Sequence, residues 1–326
     1  MKGTHQTLTL LTVALLLLST GCQRGKDAAA SDVPTIALVM KTLNNPFFID
    51  MEQGARTAAG KLGVQLLVQA PDREVDVEKQ MQVVENLIQR RVAAICITPS
   101  GSKEIVPAII KANRAGIPVL IIDTRVDSIA LAEAGGRVAT FIGSDNFQGG
   151  RIAGEFIVKQ LGGQGKVAIL EGIPGHETGD ARLSGFHQVV SQAPGIEIVA
   201  SQTANWERGQ GYNVFQNILQ SHPEVQALFA CNDLMALGAI EALAAAGRRS
   251  GDLLVVGFDA IQDAREAIAA GTMAGSVAQH PAEMGKFAVE FAHSLLRGET
   301  IPEYFPVPVE LITRQNVAAS PTAANN

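Results

Sequence analysis

The run Lys41-Thr42-Leu43-Asn44-Asn45-Pro46-Phe47-Phe48 places an ammonium group, two carboxamides and two adjacent aromatic rings on one short stretch. Such a set suits a small, hydroxyl-rich molecule, because the polar groups address hydroxyls while the rings cover apolar faces. The same residues also make sense as structure. Asn44 and Pro46 would open a helix, and Phe47 and Phe48 would fill a core. On this stretch alone both readings stay open.

Further along the chain stand Asp123 and Asp259, bidentate acceptors for neighbouring hydroxyls, and Arg182, Asn232 and Gln279, which join Lys41 and Asn45 as donors or dual partners. The sole tryptophan, Trp206, offers a further ring face for a sugar. Each has a structural alternative: Asp259 caps a helix, Arg182 holds a surface ion pair, Trp206 packs in a core. Catalytic constellations do not emerge. Gly149-Gly150 with Gly154 misses the dinucleotide fingerprint, and Gly162-Gly163-Gln164-Gly165-Lys166 lacks P-loop spacing and precedes a strand. His176-Glu177 has no second histidine at zinc-protease spacing, and no serine sits in a nucleophile elbow. The expectation is a binding protein that is not an enzyme and takes no cofactor or metal.

These side chains fall at the ends of apolar runs that alternate with helical stretches, the pattern of a parallel sheet covered on both faces. Strands at 36–40, 64–68, 93–97 and 118–122 enclose helices at 49–62, 78–90 and 102–115. A second unit repeats the order: strands at 166–170, 197–200, 227–230 and 253–257, with helices at 181–192, 209–220 and 234–246. First strands end at Lys41 and Glu171, and fourth strands at Asp123 and Asp259. The expected fold is α/β: two doubly wound parallel-sheet lobes whose polar carboxyl edges face one cleft. The β-like runs 139–146 and 274–279, with the tail 302–308, read as crossings forming a multi-strand hinge. The expected lobes are 34–143 with 280–303, and 144–279 with 304–318.

A length of 326 residues accommodates two ordinary cores, and 47% hydrophobic with 18% charged residues is a globular composition. A formal charge of −6 without a Lys/Arg-rich run argues against a nucleic-acid partner. Lys2, the apolar run Leu8 to Leu18 and Ser19-Thr20-Gly21-Cys22 read as a secretory signal. Leu18 to Cys22 resembles a bacterial lipobox, with its leucine one place further from the cysteine than usual. Residues 1–22 are then a lipoprotein signal peptide, Cys22 the lipidated residue, and 23–33 a tether to the cell envelope. The alternative is an ordinary signal cut near Gly21. Cys96 and Cys231, inside apolar strands, read as small core residues.

From about Thr35 to Thr313 the chain resembles the periplasmic sugar-binding proteins of the ribose, galactose and allose group. The resemblance lies in the stretch Lys41 to Phe48, in Gly143-Ser144-Asp145-Asn146 with Gly149-Gly150, in Ala230-Cys231-Asn232-Asp233-Leu234-Met235-Ala236-Leu237-Gly238 and in Val255-Val256-Gly257-Phe258-Asp259-Ala260. It implies the type I periplasmic binding protein fold and the substrate-binding role in an ABC importer. Partners would be a monosaccharide and a membrane permease, and the protein a monomer of the periplasm or envelope. Within the group it looks most like the allose type. Lys41 stands where the ribose type has serine, and Trp206 where that type has phenylalanine. Gly179-Asp180-Ala181-Arg182 resembles the allose and galactose loops. Thr124 replaces the arginine that ribose binders carry after the fourth-strand aspartate. His176 stands where the galactose type has histidine, which makes it a further candidate. A polyol, sugar acid or furanosyl signal remains an alternative ligand, with a chemotaxis role compatible. The effector domain of a sugar-responsive repressor is a rival reading.

Overall fold

The computed structural model describes residues 33–249 and 251–319. The signal segment, Cys22 and residues 23–32 of the tether lie outside them. The first half runs β1 (Thr35–Val39), α1 (Pro46–Leu62), β2 (Gln65–Gln69), α2 (Val77–Gln89), β3 (Ala94–Ile97), α3 (Val106–Arg114), β4 (Val119–Ile122), α4 (Ser128–Glu133) and β5 (Phe141–Ser144). The second runs α5 (Asn146–Gln160), β6 (Gln164–Glu171), α6 (Glu177–Val190), β7 (Gly195–Thr203), α7 (Arg208–Ser221), β8 (Ala227–Ala230), α8 (Asp233–Ala245), β9 (Leu254–Asp259), α9 (Gln262–Ala270) and β10 (Gly275–Ala278). The chain closes with α10 (Pro281–Leu296), β11 (Tyr304–Val307) and β12 (Glu310–Thr313).

Among the described residues two six-stranded sheets result, ordered β11-β5-β4-β3-β1-β2 and β12-β10-β9-β8-β6-β7. Both follow the doubly wound order in which the second strand lies outside the first and the third, fourth and fifth run the other way. The alternation that builds them is visible in β1. Ile36, Leu38 and Met40 pack on the α1 and α10 side with Ala94, Cys96 and Leu120. Ala37 and Val39 pack on the opposite face with Ile95, Ile97 and Ile121. A strand buried on both faces has no polar stripe, which is why it reads as a continuous apolar run.

The chain crosses between lobes three times: after β5, before α10, and between β11 and β12. The third crossing corrects the boundary expected at 303/304. Tyr304–Val307 pairs in parallel with β5 in the first sheet, and only Glu310–Thr313 joins the second, antiparallel to β10. Pro306 in β11 is tolerated because the strand is an edge. Helix α6 also differs, opening at Glu177 where the glycine-rich sequence suggested Ala181. Glu177 and Asp180 in its first turn oppose the positive end of the helix dipole. Gly179 serves packing here: a Cβ would lie 3.2 Å from Trp206 Cζ2.

Candidate functional site

The carboxyl ends of the two sheets converge on one shared cavity that is partly open to solvent. Lys41, Asn45, Phe47, Phe48, Glu74 and Asp123 line it from the first lobe, and Thr178, Arg182, Trp206, Asn232, Asp259 and Gln279 from the second. Ten of the eleven expected ligand residues therefore meet at one place. His176 stands just behind the wall, and Glu74 and Thr178 are additions. Glu74 lies in the loop after β2, where an acid at a strand's carboxyl end was the available signal. Thr178 sits in the stretch read as loop.

Backbone and side chains here are held tightly. Asn45 caps α1 by accepting from Phe47 N at 3.0 Å, while its Nδ2 donates to Glu74 Oε1 at 3.2 Å. Asn232 caps α8 in the same way, accepting from Met235 N at 2.9 Å, with Nδ2 donating to the Trp206 carbonyl at 3.1 Å. Both asparagines thus fill the structural role and still present their amides at the cavity. Phe47 and Phe48 meet edge to face, with centroids 5.2 Å apart, and are buried while lining the wall. Asp123, Trp206 and Asp259 adopt positive φ of 63°, 67° and 109°. Non-glycine residues rarely sit there, and such strain gathers at binding sites where the surroundings enforce it.

The charges form two clusters. Lys41 Nζ donates to Asp123 Oδ2 at 3.0 Å, with both side chains 4% exposed. Burial works against the Asp123 carboxylate, but Lys41 and Arg182 outweigh it and hold the group below its ordinary range. Arg182 donates through Nη1 to the Cys231 carbonyl at 2.6 Å and through Nε to Asn146 Oδ1 at 2.9 Å. It also lies 3.7 Å from Asp259 Oδ1 and stacks 3.6 Å from the centre of the Phe258 ring. Gln279 Nε2 donates to Asp259 at 2.8 Å. Burial nevertheless raises Asp259, to about 7, with Asp123 and Glu74 adding repulsion. Behind it Asp233, raised well above its ordinary value by burial and by Asp259, accepts from Ser276 Oγ at 2.7 Å and Ile261 N at 2.9 Å. Burial likewise raises Glu74.

His176 Nε2 donates to the Pro99 carbonyl across the cleft at 3.2 Å. Burial first, then Lys41, lowers its pKa to about 3, so the ring is neutral. A buried, inter-lobe histidine differs from a loop histidine in water. Beside it, Thr124 and Thr178 hydroxyls meet at 2.8 Å, and Glu177 N donates to Ser102 Oγ at 3.1 Å. Cys96 and Cys231 are buried, with thiols pushed up to about 12, as core residues would be.

Buried Trp206 Nε1 and Gln279 Oε1 have no hydrogen-bond partner among the described residues. A donor and an acceptor left open in one polar cavity, beside aromatic faces and paired charges, fit a ligand carrying several hydroxyls.

Residues 36–300 match the periplasmic binding protein domain family, and the chain belongs to it. It is 39% identical to the ribose import binding protein of Bacillus subtilis, over 94% of this chain and 98% of that one. It is also 39% identical to the D-allose-binding periplasmic protein of Escherichia coli, over 76% of this chain and 80% of that one. A periplasmic solute-binding protein of an ABC transporter from Actinobacillus succinogenes, solved with bound D-allose, superposes with a TM-score of 0.83 at 39% identity. That match covers 88% of this chain and 100% of the other. Equal identity to ribose and allose relatives leaves the two sugar types undivided by overall likeness.

Proposed function

We propose that the protein is the sugar-binding component of an ABC importer, located in the periplasm, which captures a monosaccharide between its lobes and presents it to a membrane permease. The observation that carries this is the inter-lobe cavity itself. Carboxylates, amides and an arginine from two sheets converge on a space bounded by aromatic rings, with Trp206 Nε1 and Gln279 Oε1 left open. The relatives' names and ligands support the same class. Their family is one of binding and transport proteins. The proposed ligand residues are Lys41, Asn45, Phe47, Phe48, Asp123, Arg182, Trp206, Asn232, Asp259 and Gln279, with His176 stabilising the closed cleft.

Among sugars we favour an allose-type hexose over ribose. Lys41 and Trp206 support that reading, as does buried Thr124, which packs on Thr178 where a ribose binder carries arginine. Pairing of Lys41 with Asp123 favours a neutral sugar over a sugar acid, since the ammonium already has its counter-ion. Anchoring through a lipid on Cys22, a monomeric state, and a first lobe of 34–143 with 280–307 complete the proposal. Isothermal titration with D-allose, D-ribose, myo-inositol and a hexuronate tests the ligand class. Tight binding of a neutral aldose is expected; binding of none of them, or of the hexuronate alone, refutes it. Cys22→Ser followed by membrane fractionation tests the anchor, with release into the soluble fraction expected.

A further inference from the structure

We propose that Glu74 is a sugar-recognising residue and that the Arg73–Glu207 ion pair beside it is the clasp that holds Glu74 against the ligand. The proposal rests on the sugar-binding reading above. Glu74 lines the cavity, and among the described residues its hydrogen-bond donor is Asn45 Nδ2, at 3.2 Å to Oε1. A carboxylate offers roughly four acceptor positions, so capacity remains for further donors. As a structural feature Glu74 is costly. It stands as a third carboxylate with Asp123 and Asp259 around a cavity that holds two cations, Lys41 and Arg182. Hydrogen bonds from neutral hydroxyls offset that repulsion without adding charge.

The loop bearing Glu74 is fixed at both ends. Thr42 Oγ1 and Asn44 Nδ2 donate to the Asp72 carbonyl at 3.0 and 2.9 Å, which ties it to the loop that carries Lys41 and Asn45. Lys79 bridges Asp72 and Asp76 at 3.1 and 3.2 Å. Across the cleft, Arg73 donates through Nε and Nη2 to Glu207 Oε1 at 3.0 and 2.7 Å. Gln210 Nε2 holds the other oxygen of Glu207 at 2.5 Å. Glu207 directly follows Trp206. One inter-lobe ion pair therefore joins the neighbour of one cavity residue to the neighbour of another, on opposite lobes. Opening the cleft must break it, and so the clasp retards release of the ligand while Glu74 reads its hydroxyls.

The test uses the full chain, a panel of aldopentoses and aldohexoses, titration calorimetry for affinity and the fluorescence of Trp206 for release rates. Glu74→Ala and Glu74→Gln should weaken the preferred sugar about tenfold or more and narrow its advantage over the disfavoured epimers. Arg73→Ala, Glu207→Ala and the double variant should each speed release about threefold to tenfold, with the double no worse than either single and the ranking of sugars kept. Unliganded melting temperatures, read for all variants, separate loss of fold from loss of contact. Affinity and ranking within twofold of wild type in both Glu74 variants would overturn the recognition role. Release rates unchanged in the clasp variants, or additive in the double, would overturn the clasp. Should wild type bind no sugar of the panel, the sugar-binding reading falls, and this proposal with it.

Discussion

Asp123 and Asp259 hold equivalent stations in the two lobes: each stands at the carboxyl end of its fourth strand with positive φ, and each lines the shared cavity. Their settings differ. Lys41 keeps Asp123 ionised, whereas burial raises Asp259 despite Arg182 and Gln279. In the proposed sugar site, equivalent places with unlike partners would give an asymmetric ring an asymmetric grip.

Lys41→Met removes the counter-ion of buried Asp123. An unpaired buried charge costs about 3 kcal/mol, so the unliganded melting temperature should fall by roughly 5–10 °C. Adding Asp123→Asn should restore most of the loss. Calorimetric melting of the three proteins checks this, and equal melting of the single variant and wild type would contradict it.

The pH response follows from two groups of opposite sign. His176, with an ordinary pKa of 6.5 and about 3 when folded, stays neutral in the fold while the unfolded chain binds a proton. Its contribution is complete above pH 6.5 and is lost as pH falls toward 3. Asp259, raised from 3.8 to about 7, favours the folded state as pH falls through that window. The two oppose each other in mild acid. His176→Gln removes only the first, so between pH 7 and 5 the variant should gain roughly 1–2 kcal/mol relative to wild type. Denaturant titration at the two pH values measures it, and parallel behaviour would refute the neutral, buried histidine.

Gly150 on α5 lies against the Arg182 carbonyl of α6, where a Cβ has no room. Gly150→Ala should cost about 1–3 kcal/mol and weaken ligand binding by moving Arg182. Gly60 on α1 meets nothing within 4 Å of an added Cβ, and Gly60→Ala should instead stabilise by about 0.5–1 kcal/mol. Melting of both variants decides it, and equal effects would contradict the packing account.

Thr124→Arg supplies the arginine that the ribose type carries. Thr124 is fully buried and its hydroxyl lies 2.8 Å from that of Thr178 on the other lobe. The larger side chain should keep the lobes apart and weaken every sugar about tenfold or more. Improved ribose affinity would contradict this.

The two-lobed architecture was legible because strands buried on both faces read as apolar runs, and because Lys41, Asp123, Asn232 and Asp259 stand at or within two residues of their ends. Other features were hidden for physical reasons. Tyr304–Val307 is only four residues long and carries a proline, as an edge strand can, so its sheet was not readable. Gly179 looked like loop but lies in α6, where a Cβ would press on the ring of Trp206 at 3.2 Å. His176 owes its environment to a contact across the cleft, and Glu74 to Asn45 on another loop of its own lobe, and neither leaves a local pattern.

In the proposed site Asp123 and Asp259 grip one sugar from opposite lobes. Titration calorimetry with the tightest-binding aldose on wild type, Asp123→Asn and Asp259→Asn tests it most directly. Wild type should bind at micromolar affinity or better, and each variant should lose about tenfold to a hundredfold. Affinity unchanged in both variants would contradict it.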